Sequence, residues 1–139
     1  MSESSLPAPL QTIVTAFQNA PNMLKLPLLL EYAEQLKAVP ETLGATLEQV
    51  HECQTPLFLH AEVGADGVVT LHFDAPKEAP TTRGFAAIVQ QGLAGLTTEE
   101  ILAVSTTFHT EMGLAELISP LRIRGLEAIM TRVKRQLRA

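Results

Sequence analysis

The chain has 139 residues, 46% hydrophobic and 18% charged, which is enough for one buried core and too apolar for a disordered tail. Its one cysteine, Cys53, excludes an internal disulfide, a CxxC redox pair and a multi-cysteine zinc or iron–sulfur site within the chain. The formal net charge of −5 hides a division: residues 1–121 carry 4 basic against 14 acidic groups, residues 122–139 carry 6 against 1.

Cations near a helix C-terminus favour the macrodipole, so that basic end reads as a solvated helix face. With only 4% aromatic residues and no tryptophan, nucleic-acid binding is not expected. The histidines at 51, 60, 72 and 109 match neither HxxxH nor HExxH, so no metal site is expected. The densest apolar run, Leu26-Pro27-Leu28-Leu29-Leu30, is far shorter than the roughly 18 residues of a membrane span. Glu3 comes early and Lys25 is the first basic residue, so no signal-peptide n-region is read and a cytoplasmic location is expected.

In chain order, residues 1–9 read as a flexible Ser/Pro-rich tail and 10–139 as a single domain. Leu10, Ile13, Val14 and Phe17 give a helical stripe over 10–19, interrupted by Pro21 and Asn22. A second helix is expected over 22–38, with Leu29, Tyr32, Ala33 and Leu36 inward, Pro27 in its first turn or kinking it, and Pro40 ending it. Residues 47–51 allow either a strand or coil. Leu57, Leu59 and Ala61 then alternate with Phe58, His60 and Glu62 as in a strand, and Val68–Phe73 reads as another. Between them, Gly64-Ala65-Asp66-Gly67 carries an Asp-Gly hairpin signal.

From residue 81 the pattern is helical, with Phe85, Ile88, Val89 and Leu93 as its stripe. Thr97-Thr98-Glu99-Glu100 is a capping box ahead of a short helix over 101–104. Another is expected near 106–112, stopped by Gly113. Ser119-Pro120 opens a last helix that buries Leu126, Ile129, Met130, Val133 and Leu137 and exposes the arginines and Lys134. The fold class is α+β: a small antiparallel sheet of two to three strands covered on one face by helices.

Cys53 sits in His51-Glu52-Cys53-Gln54-Thr55-Pro56, with no apolar residue for two positions on either side. A free cysteine usually behaves as a small buried hydrophobe, but polar flanks and a following proline place this one on a loop at the sheet's end. Glu52 opposes ionisation of the thiol, whereas a protonated His51 or an arginine brought close by folding favours it. A Cys–His hydrolase also needs an orienting third group and an oxyanion hole, and the sequence shows neither. A persulfide carrier, by contrast, needs only one cysteine.

At these residues the chain resembles the SufE family of sulfur acceptors. The matching positions are Val50, Cys53, Gln54, Leu57 and Phe58, then Asp74, Arg83-Gly84-Phe85, Ile118-Ser119-Pro120-Leu121-Arg122 and Gly125-Leu126-Glu127-Ala128. The resemblance runs from about residue 10 to 137. Glu52 stands where the family has glycine, Thr55 where it has serine, Phe58 where it has tryptophan, and Asp74-Ala75-Pro76 where an Asp-Ser-Asp-like run is usual.

The resemblance implies a SufE/IscU-like fold with the cysteine on a loop at the sheet's edge. It also implies a covalent sulfur carrier and activator rather than a free-standing enzyme. Cys53 would take persulfide sulfur from a SufS/CsdA-like cysteine desulfurase, stimulate that enzyme, and pass the sulfur to a SufBCD-like iron–sulfur scaffold. The chain would hold no cofactor of its own, because the pyridoxal phosphate is on the desulfurase. In this reading His51 is an optional proton partner and Asp74 a brace for the loop. Arg83, with Gly84, is a helix start before it is chemistry. Arg122 either shapes the thiolate's surroundings, docks a partner, or is a plain surface arginine. A monomer is expected. Two rivals remain at this point: a relative that binds a desulfurase or scaffold without carrying sulfur, and a thiol redox sensor.

Overall fold

The computed structural model of the chain describes residues 6–53 and 56–138. Five α-helices and three strands occur among them: α1 Ala8–Asn19, α2 Asn22–Ala33, β1 Glu48–Gln49, β2 Phe58–Val63, β3 Val69–Asp74, α3 Pro80–Gly92, α4 Thr98–Leu102 and α5 Pro120–Arg138. Short 3₁₀ turns at Glu41–Thr46 and Phe108–Met112 link them. The expected α+β class and small antiparallel sheet are present.

The sheet has the order β1-β2-β3, antiparallel throughout, with Glu48 opposite Leu59 and Phe58 opposite Asp74. Segment 47–51, open between strand and coil in the sequence, supplies the two-residue edge strand β1. Alternation does the rest: Leu59, Val69, Leu71 and Phe73 are buried on one face, and Thr70 and Asp74 are exposed on the other. At the hairpin, Gly67 takes φ +84°, and Asp66 Oδ1 accepts the Val68 amide at 3.0 Å.

Helix α3 lies at the centre, against α1, α2, α5 and β3. It approaches α2 so closely that a Cβ on Gly84 would stand 2.4 Å from the Leu29 carbonyl oxygen. Gly84 is therefore a packing notch. The capping box forms as expected, with Thr97 Oγ1 accepting the Glu100 amide and Glu100 accepting the Thr97 amide. Gly113, at φ +74°, ends the Phe108–Met112 turn, which is 3₁₀ rather than α.

Several boundaries differ from the sequence reading. Ala8 and Pro9 belong to α1 rather than to a tail, because Pro9 suits a first turn whose amides have no partner in any case. Residues 1–5 lie outside the described residues. Helix α2 stops at Ala33, not 38: the Glu34 and Gln35 amides reach back only three residues, and the chain then extends toward Pro40. Leu36 stays buried beyond the helix, which is why its spacing reads as helical. Pro27 sits past the first turn, inside α2, so the Met23 carbonyl loses its helical donor; Met23 is 81% exposed, where solvent can replace it.

Two lysines are buried. Lys25, 5% exposed, turns its ammonium onto the C-terminus of α1 and donates to the Phe17 carbonyl at 2.5 Å and the Ala20 carbonyl at 3.1 Å. It thereby adds a donor to carbonyls at the helix end and meets the negative end of the helix dipole. Lys134, expected on the exposed face of α5, is buried at 9%; the long stem of a lysine can lie along apolar surface. Burial, and secondarily Arg138, lowers its pKa. No helix among the described residues is long and apolar enough to cross a membrane.

Candidate functional site

The site is built where the β1–β2 connection meets α5. Val50, fully buried, donates its amide to the Leu57 carbonyl at 2.8 Å and so closes the loop at its base. Its own carbonyl accepts the Cys53 amide at 3.2 Å, turning the chain back on itself. Cys53 is half-buried, and its thiol points at α5, with Sγ 3.8 Å from the Gly125 carbonyl oxygen. A Cβ on residue 125 would stand 3.0 Å from that sulfur. Glycine at 125 thus makes the seat in which the thiol rests.

Helix α5 is aimed by its first turn. Ser119 Oγ accepts the Arg122 amide at 3.4 Å, and Pro120 follows, as the Ser-Pro pair predicts. Arg132 lies seven residues after Gly125, two turns along on the same face. Its Nε and Nη2 donate to Glu52 Oε1 at 2.9 and 2.8 Å. Its Nη1 donates to Glu48 Oε2 at 2.5 Å and to the Gln49 carbonyl at 3.0 Å. Arg135 and Gln136 also hold Glu48, and Gln136 Oε1 accepts the Ala61 amide at 2.7 Å. The end of α5 is clamped across the sheet's edge strand and onto the residue before the cysteine.

The electrostatics follow from this contact. Burial against α5 is the largest influence on the Cys53 thiol, the Glu52 charge adds to it, and the Arg132 charge opposes both. The raising effects win, and the thiol is pushed up to about 11. At pH 7.5 roughly 3 thiols in 10,000 are then ionised, and only the thiolate is a nucleophile. Burial would raise the Glu52 carboxyl, but a backbone hydrogen bond and Arg132 outweigh it and hold it below its usual range. Glu48 behaves alike: burial raises it, and bonds from Gln136, Arg135 and Arg132 prevail.

The remaining sequence candidates fall around this centre unevenly. His51 is exposed, and among the described residues it has no hydrogen-bond partner. Asp74 is exposed at the end of β3, paired with Phe58 in the ladder, and its carboxylate accepts no hydrogen bond from any described residue. Gln54 and Thr55 lie outside the described residues. Arg83 spends its donors on the Ala33 carbonyl at 2.9 Å and the Ala75 carbonyl at 2.6 Å, tying α2 to the β3–α3 connection. Arg122 is exposed one turn before Gly125, on the flank of the cysteine's seat. Two hollows, of about 340 and 510 Å³, are lined elsewhere, one by Lys37, His72 and Gln90 and the other by Leu30, Lys77 and Arg83. No group of three or more metal-ligating side chains occurs among the described residues.

The family model described as "SufE: Fe-S metabolism associated domain" matches residues 11–137. The chain belongs to the SufE family. An uncharacterized SufE-like protein of Mycobacterium tuberculosis is 52% identical over 136 residues, which is 97% of this chain and 95% of that one. The sulfur acceptor protein CsdE of Escherichia coli is 29% identical over 102 residues, covering 73% of this chain and 68% of that one. A solution structure of a hypothetical protein from Thermus thermophilus is 43% identical and superimposes with a TM-score of 0.86, over 96% of both chains.

Within the SufE frame, the position before the cysteine is the informative departure. The carboxylate of Glu52, where the resemblance leads one to expect glycine, does not hang free: Arg132 holds it. The sequence reading allows for an arginine brought close by folding but places Arg132 among the solvated cations. Two signals point to it: its spacing of seven from Gly125, and the Glu48/Glu52 pair that needs a counter-charge.

Proposed function

We propose that the chain is a sulfur acceptor for a cysteine desulfurase, with Cys53 as the covalent carrier. The Cys53 thiolate attacks the terminal sulfur of the desulfurase's cysteine persulfide. The S–S bond there breaks, the desulfurase thiolate leaves, and the persulfide is now on Cys53. No external oxidant or reductant is required, because one S–S bond replaces another. The observation that carries this reading is a lone cysteine at the sheet's edge, seated on the glycine of the Ser-Pro-x-Arg-x-x-Gly-Leu block in a SufE-family chain. Delivery onward to an iron–sulfur scaffold, stimulation of the desulfurase, a monomeric state and a cytoplasmic location complete the proposal. Pyridoxal phosphate belongs to the desulfurase in this scheme.

The seated thiol is a resting form. A partner that draws Cys53 off α5 restores water to the sulfur and moves it from Glu52, and both changes favour the thiolate. The same features argue against a redox sensor, since sensing cysteines are exposed and low in pKa.

The test is intact-protein mass spectrometry after mixing the chain with a cysteine desulfurase, pyridoxal phosphate and cysteine. A gain of about one sulfur atom, reversed by reductant and absent in Cys53→Ser, is the expected result. No gain, with the desulfurase active and another family member loaded in parallel, removes the carrier role for that pair. One observation favours a second reading, in which the chain binds without carrying sulfur: burial, and secondarily Glu52, raises the thiol's pKa. Full stimulation of the desulfurase by Cys53→Ser would select that reading.

A further inference from the structure

Among the described residues, three polar contacts hold Cys53 in its seat: the amide bond to Val50, the sulfur's contact with Gly125, and the grip of Arg132 on Glu52. The first is local to the turn, and the second is a weak thiol bond. The third joins two charged groups 80 residues apart and ties the loop to another element. Arg132 is a fixed post: its side chain is 12% exposed and is braced by Glu48 and the Gln49 carbonyl. Glu52 is the exposed partner. Consecutive Cα atoms are about 3.8 Å apart, so Cys53 cannot travel far from Gly125 while the neighbouring carboxylate stays bound.

We propose that Arg132 is a positioning residue that grips Glu52 and so keeps the Cys53 thiol seated against Gly125, releasing the sulfur when this ion pair opens. The biological meaning rests on Cys53 being the sulfur carrier. The test does not, because it uses the isolated chain and no desulfurase. The charged and titratable groups around the thiol are His51 and Glu52 on the loop, Glu48 on β1, and Arg132 and Arg135 on α5.

The experiment is the rate of Cys53 alkylation by iodoacetamide, read by intact mass from pH 7 to 10 at low and at 1 M sodium chloride. The two variants carry opposite charge effects. Arg132→Gln removes a cation that favours the thiolate, so a purely electrostatic role slows alkylation. Release of the latch speeds it by about threefold to fivefold, the scale of an exposed ion pair. Glu52→Gln and Glu52→Ala both remove the charge, but only the glutamine keeps an oxygen that Arg132 can hold. Glu52→Ala is therefore expected to react several-fold faster than Glu52→Gln, roughly by the same ion-pair factor. Salt should accelerate the unaltered chain and should not accelerate Glu52→Ala, where it only screens the Arg132 cation.

Thermal melts verify that each variant is folded. If Arg132→Gln loosens β1 as well, the Glu52 pair and the salt series decide alone. Glu52→Ala no faster than Glu52→Gln, or an unaltered chain indifferent to salt, would overturn the latch. A folded Arg132→Gln slower than the unaltered chain would do the same.

Discussion

Adding one methyl group at residue 125 tests whether the seat of the thiol governs its chemistry. In Gly125→Ala the new Cβ stands 3.0 Å from Cys53 Sγ, 3.6 Å from its Cα and 3.8 Å from its Cβ. The nearest atom is the far end of a loop side chain, so the sulfur yields rather than the helix. Within α5 itself the change is favourable, since alanine is better than glycine in a helix interior by about 0.8–1 kcal/mol. The variant should therefore melt at or above the unaltered chain. The sulfur must give by a few tenths of an ångström, and the thiol should lose part of its burial and fall from about 11 toward its ordinary value. A complete fall to about 9 raises the ionised fraction at pH 7.5 by roughly 100-fold, which is the ceiling. Partial displacement should speed iodoacetamide alkylation in proportion, by about tenfold for each pKa unit recovered. The assay is a pH–rate profile by intact mass beside a urea melt. A folded Gly125→Ala that alkylates no faster refutes the idea that contact with α5 suppresses Cys53.

Further outcomes follow from the fold. Gly84→Ala forces a Cβ to within 2.4 Å of the Leu29 carbonyl, a backbone atom that cannot swing aside, and should cost about 3 kcal/mol or more in urea unfolding. Lys25→Met removes the donor from two carbonyls at the end of α1, and a loss of about 1–3 kcal/mol is expected by the same measurement. His109 is fully buried, neither ring nitrogen has a hydrogen-bond partner among the described residues, and burial lowers its pKa despite Glu127 at 3.7 Å. The folded state thus prefers the neutral ring, and the unfolded state binds the extra proton. Stability from this group is full above about pH 6.5 and falls below it, by at most about 1.4 kcal/mol per pH unit. His109→Leu should flatten that part of the acid limb in melts between pH 7 and 5; an unchanged slope would count against a neutral buried ring.

Much of the fold is legible because its signals are local. The alternation around Leu59, the Thr97 and Glu100 box and the Ser119-Pro120 start each depend on residues within a few positions of one another. The lone cysteine, too, is conspicuous in its polar hexapeptide. What escapes are contacts set by the whole fold. Lys25 and Lys134 carry charges that ordinarily mark a solvated face, and nothing near them in sequence announces a carbonyl pair or a covering surface. Arg132 meets Glu52 only because α5 folds back along the sheet's edge. The end of α2 escapes for a related reason: Leu36 is buried whether or not the helix reaches it.

The bond between the Val50 amide and the Leu57 carbonyl fixes how far the sulfur can be carried. Both ends of the cysteine's loop are moored to the sheet, and two residues, His51 and Glu52, separate Val50 from Cys53. Fully stretched, that tether spans about 10 Å. A donor or recipient must therefore bring its reacting sulfur within that radius of the sheet's edge, at a shallow opening. A site buried deeper than the tether can reach is served only if β1 is first stripped from β2.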